Sequence, residues 1–101
     1  MTANVGEYGH AVNVFVAYDM SLQNSLQATI ERPDKSQIVG AAVLGTAPLV
    51  TDGGTFPANQ YCTYTVKDGD LTVPGEYIVR ITYKDGTKRL ISDPTSFTVS
   101  P

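Results

Sequence analysis

The sequence predicts an all-β domain, an antiparallel β-sandwich of about seven short strands, and three observations carry that expectation. Several segments alternate apolar and polar residues with period 2, as half-buried strands do. No window shows the helical period of an amphipathic helix, and turn-forming residues recur roughly every ten positions.

Residues 1–9 hold turn formers and little apolar content and are expected as an N-terminal arm, with the sandwich occupying residues 10–101. In residues 10–18, Val12, Val14 and Val16 share one face, opposite Asn13, Phe15 and Ala17. Polar residues break the pattern at 19–24, and Leu26, Ala28 and Ile30 resume it, facing away from Gln27, Thr29 and Glu31. Pro33-Asp34 reads as a turn, with Pro in the fixed-φ position and Asp able to bond its own backbone. Residues 38–44 are apolar but interrupted by Gly40, with Gly45 following, and fit one strand with a bulge or a close backbone approach. Residues 46–59 contain Pro48, Asp52, Gly53, Gly54 and Pro57 and read as a long loop. Cys62, Tyr64 and Val66 then share a face of the next strand, which ends at Asp68-Gly69-Asp70.

The chain is organised around residues 71–92. Pro74-Gly75 suits the centre of a type II turn. Beyond it, Tyr77, Val79, Ile81 and Tyr83 alternate with Ile78, Arg80, Thr82 and Lys84. Asp85-Gly86 then signals a two-residue hairpin turn. Asp93-Pro94 interrupts the return, and Phe97 and Val99 lie on the closing strand. Tyr77, just after a turn at the start of a long strand, stands where a tyrosine corner would sit in an immunoglobulin-like topology, its hydroxyl reaching back toward residues 68–70. The other reading is a core or rim tyrosine with no special bond.

One hundred and one residues make one domain, large enough to bury a core without metals or disulfides. A net charge of −3 argues against a nucleic-acid or anionic-membrane partner. The single Cys62 excludes a disulfide-pinned domain and fits a reducing cytoplasm. The first residues have neither the basic nor the apolar region of a signal peptide.

The chemical inventory is thin, and it assigns no catalytic, cofactor-binding or metal residue. The only histidine, His10, is 52 positions from Cys62, which reads as a small buried hydrophobe. Asp68 and Asp70 raise the question of calcium, but no third ligand or closing glutamate follows them, so solvated turn aspartates are expected; Asp52-Gly53-Gly54 is a weaker version of the same signal. Arg80, Lys84, Lys88 and Arg89 crowd one hairpin, either to meet an acidic partner or, the preferred reading, to discourage edge pairing. Tyr61, Tyr64 and Tyr83 suit half-buried strands better than a sugar platform.

Tyr61-Cys62-Thr63-Tyr64-Thr65-Val66, Asp70-Leu71, Pro74-Gly75-Glu76-Tyr77, Tyr83-Lys84-Asp85-Gly86 and the closing Pro94, Phe97 and Val99 resemble the small immunoglobulin-like modules of tailed-phage structural proteins, such as the N-terminal domains of baseplate upper proteins. Tyr18-Asp19-Met20-Ser21 and Glu31-Arg32-Pro33-Asp34-Lys35 agree in outline, although Lys35 stands where the pattern has glycine, which leaves the turn type open. Filamin repeats and other sandwiches share much of this pattern. The resemblance implies a non-enzymatic virion component (capsid decoration, head–tail connector or baseplate protein) assembled in the host cytoplasm. Its partners would be other virion proteins and further copies of itself, with no cofactor, nucleic acid or membrane. Residues 1–9 and 46–59 are the expected contact elements. The alternative is an adhesion or carbohydrate-binding module of a bacterial surface protein; a small enzyme built around His10 is a distant third.

Overall fold

A computed structural model describes residues 2–16, 19–21, 25–51, 53–84 and 86–101, with only the backbone of Thr2. The described residues are all β, without a helix. Eleven strands follow one another: β1 (Thr2–Asn4), β2 (Ala11–Phe15), β3 (Ser25–Glu31), β4 (Gln37–Ala41), β5 (Val43–Leu44), β6 (Leu49–Thr51), β7 (Gly54–Phe56), β8 (Tyr61–Thr65), β9 (Gly75–Lys84), β10 (Arg89–Ile91) and β11 (Thr95–Ser100). One sheet runs β1-β11-β9-β3-β4, with β10 also on β9; a second runs β2-β8-β5; β6 and β7 form a separate hairpin. The two larger sheets share one core, an arrangement compatible with a β-sandwich.

The period-2 sets predict that core. Val12, Val14 and Val16 are buried, as are Leu26, Ala28 and Ile30, then Cys62, Tyr64 and Val66, and finally Tyr77, Val79, Ile81 and Tyr83. Phe97 and Val99 close the set, the Phe97 ring stacking on Tyr77 with centroids 5.3 Å apart. Met20, within a stretch read as polar, is also fully buried. Ala17 and Tyr18 lie outside the described residues, as do Asp52 and Asp85.

Five expectations are corrected. Residues 1–9 are not a free arm, because β1 pairs with β11 and Ala3 is buried opposite Val99. That pair is parallel, so the fold is not purely antiparallel. Gly6 and Gly9, both at positive φ, then carry the chain across to the second sheet. Residues 38–44 form two strands in different sheets, the chain changing sheet at Ala42. The long loop contains the β6–β7 hairpin, closed by Thr51 opposite Gly54, with Phe56 against Phe15 and Tyr61. Finally, Lys84 pairs with Arg89, so the connection holds four residues rather than two. A two-residue turn would set Lys88 opposite the inward-facing Tyr83; the longer one sets Leu90 there instead.

The close approaches at Gly40 and Gly45 are real. A Cβ on Gly40 would lie 2.6 Å from the Tyr64 ring, and one on Gly45 only 2.0 Å from the Tyr61 ring. Lys35 takes φ of 73°, the left-handed conformation that glycine would supply, and Asp34 closes the turn by accepting from Ser36 N–H at 3.0 Å. The turn therefore accommodates lysine at a steric cost.

Two stability predictions follow from these backbone constraints. Left-handed φ costs a non-glycine residue about 1–2 kcal/mol, and glycine's greater unfolded-state entropy returns about half of that. Lys35→Gly should therefore stabilise the fold by about 0.5–1 kcal/mol, seen as a higher urea midpoint at unchanged m. Gly45→Ala should cost about 1–3 kcal/mol, because the Tyr61 ring must move.

Candidate functional site

The densest polar constellation among the described residues gathers at one end of the molecule. There the turn after β8 meets the β3–β4 turn. Asp70 is only 7% exposed, yet its carboxylate has two donors: the Tyr64 hydroxyl at 2.6 Å and Lys67 N–H at 2.8 Å. Arg32 reaches over from the other sheet, donating Nε–H to the Asp70 carbonyl at 2.9 Å and a terminal N–H to the Gly69 carbonyl at 3.2 Å. Pro33 beside it packs on Gly75, whose φ of 131° and missing Cβ allow the contact. Burial first, and then the Asp70 carboxylate, push the Tyr64 hydroxyl pKa well above its ordinary value.

This geometry fastens the turn after β8 to the β3–β4 turn. The Asp70 Oδ2 accepts from two protein donors, so Asp70, expected as a solvated turn aspartate, is instead a buried acceptor. No group of three or more His, Cys, Asp or Glu suited to a metal occurs among the described residues. Tyr77 also binds backbone, but its hydroxyl donates to the Val73 carbonyl at 2.8 Å and not to residues 68–70. The nearer target follows from the turn at Pro74-Gly75, which doubles the chain back over the ring, while Tyr64 takes the 68–70 segment.

The other nominated residues do not converge. Cys62 is fully buried, its thiol 3.9 Å from the Met20 sulfur, and burial pushes its pKa up to about 11. His10 sits beside Glu7 at 3.1 Å, and Glu7 also accepts from Asn4 N–H at 2.7 Å. That Asn4 bond foremost, and then His10, hold the Glu7 carboxyl below its ordinary range. The His10 backbone faces Val66, four residues along the strand from Cys62, roughly 13 Å at the usual rise. The tyrosines considered for a sugar platform, Tyr61, Tyr64 and Tyr83, are all buried.

Two clefts remain. One of about 220 Å³ lies between the sheets, lined by Val12, Asn13, Phe56, Ser96 and Phe97 among others. The second, about 300 Å³ and more open, is bordered by Ala3, Asn4, Glu7, His10 and Ser100. The more distinctive surface feature is apolar. Val5, Tyr8, Phe15, Val39, Val43, Val50 and Ile91 are exposed, and all but Val5 and Tyr8 lie on strands. Sequence reasoning passed over this set, although Val39 and Val43 already stood out as apolar residues flanking Gly40 in an uncharged stretch.

Compared with protein-family models, with curated proteins and with solved structures, the chain matches none. Function therefore has to be argued from this chain's own surface.

The buried groups of this subsection make two predictions. Tyr64→Phe removes a charge-assisted bond from a buried carboxylate and should destabilise by about 1.5–3 kcal/mol in urea unfolding. Cys62 should resist a thiol reagent at pH 8 in the folded protein and react fully once denatured, since the thiolate is the reacting form and burial suppresses it.

Proposed function

We propose that this chain is a structural component of a tailed-phage virion, an immunoglobulin-like sandwich that works through protein–protein contacts with other virion proteins and with its own copies. Two features support the immunoglobulin-like part. The run β11-β9-β3-β4 has the order that strands G, F, C and C′ would have, and β2-β8-β5 that of B, E and D. The Tyr77 hydroxyl also bonds to backbone four residues upstream, as a tyrosine corner does.

The contact function rests on one observation, the apolar side chains displayed on outward strand positions: Phe15, Val39, Val43, Val50 and Ile91. Scattered apolar exposure is ordinary, but strands that alternate elsewhere place polar residues outward. Within the proposal the chain is a non-enzymatic capsid decoration, head–tail connector or baseplate protein. The β6–β7 hairpin is its leading contact element, with Val50 the most exposed of these residues.

The test is incorporation. Co-produced with the structural proteins encoded beside it, the chain should band with purified particles in a density gradient and appear there in fixed stoichiometry. Val50→Asp should lower incorporation several-fold while leaving thermal unfolding unchanged. Absence from the particles overturns the reading, and glycan-array binding without incorporation would favour the adhesion alternative.

A further inference from the structure

We infer that the β4 edge is a self-pairing surface, joining two copies of the chain through antiparallel β4–β4′ contact about a two-fold axis at Val39. The backbone pattern carries the argument. Arg32 N–H donates to the Ser36 carbonyl, which makes 32–36 a bonded pair. Bonded and non-bonded pairs alternate in an antiparallel ladder, so Ile30–Ile38 and Ala28–Gly40 are bonded as well. Gln37, Val39 and Ala41 therefore turn their N–H and C=O groups away from β3. On that side no described strand meets them, since β4 ends its sheet.

Exposed edges of soluble proteins are normally guarded by charge, proline or a bulge. This one has none of them. Residues 37–44 read Gln-Ile-Val-Gly-Ala-Ala-Val-Leu, without charge or proline, and the β3–β4 register from 37 to 41 is continuous. Val39 is 60% exposed on β4, and Val43, 69% exposed, lies on β5 at the end of the other sheet.

The absence of charge suits a second copy as the occupant. A two-fold axis sets each residue near its own image, so a charge at the centre would repel itself. Pairing about Val39 matches Gln37 with Ala41′ and Val39 with Val39′, all uncharged. The nearest cation on the strand's approach, Lys35, lies four residues from the axis. Its image is then roughly 26 Å away at the usual strand rise, well beyond the screening length of about 8 Å. The pairing would complete three sets of outward backbone groups on each copy and cover both Val39 side chains. It deepens the assembly reading, from which it takes only that copies meet. Its test uses the protein alone, so failure here leaves contacts with other virion proteins standing, and failed incorporation leaves the dimer standing.

The experiment is light scattering with amide hydrogen exchange on the purified protein. A mass of twice 10.8 kDa is expected, with slow exchange at Gln37, Val39 and Ala41. Val39→Lys sets two ammonium groups at the axis and should weaken dimerisation at least tenfold, releasing those three amides while the thermal midpoint of the monomer holds. Val39→Pro should do the same, since the Val39 N–H makes no bond within the chain's own ladder. Monomer at every concentration, fast exchange at the three amides, or a dimer that survives Val39→Lys would each overturn the proposal.

Discussion

A carboxylate taken out of water has to be met by donors, and in this chain that requirement joins the two sheets at one end. The Asp70 carboxylate is met by the Tyr64 hydroxyl and Lys67 N–H, fixing the turn between β8 and β9 in one conformation. With that turn fixed, its carbonyls face Arg32, which arrives from the β3–β4 turn of the other sheet. The Tyr64 ring must lie flat enough to reach Asp70, and it does so across Gly40, where no side chain can be accommodated. Three constraints on β4, β8 and the 67–70 turn thus meet in a single tyrosine.

Tyr77 works beside it on the central strand of the larger sheet. Its hydroxyl secures the turn preceding β9, while its ring stacks on Phe97 from β11. A related substitution of side chain for backbone occurs farther along β9. Between Ile91 opposite Thr82 and Thr95 opposite Val79, four steps on one strand meet three on the other, so a bulge falls at Asp93-Pro94. Ser92 Oγ accepts Ile81 N–H there at 2.9 Å, keeping a buried donor satisfied where the ladder is out of step. Polar side chains in this fold therefore serve chiefly where the regular ladder cannot.

Which residues face inward was legible because burial on one face forces a two-residue period, and that period is local. Val12 and Val14, or Tyr77 and Val79, needed no knowledge of their partners. Sheet membership is not local. Nothing in residues 38–44 says that Ala42 is where the chain leaves one sheet for the other, and the Tyr64 and Tyr61 rings that lie against Gly40 and Gly45 come from β8, farther along the chain. The β6–β7 hairpin was legible and overlooked: Asp52-Gly53 between Val50-Thr51 and Thr55-Phe56 is the two-residue hairpin signal, obscured by a surplus of glycine and proline nearby. At Asp85-Gly86 the same signal misled, because the pairing of Leu90 with Tyr83 outweighed local turn preference.

The candidate contact surface was harder to read for a related reason. Inward positions of a sandwich are constrained by a core that many unrelated proteins share, so they report fold and say little of function. Outward positions carry the function, and there the informative residue is the one that breaks the alternation. Val39 does so on β4, outward beside Thr29 and next to an edge that lacks lysine, proline or bulge. A valine left in water gains nothing for the isolated chain, and an unguarded edge exposes it to unwanted pairing. Both features become favourable together when another strand lies against β4, and the proposed self-pairing rests on that coincidence, not on either cleft.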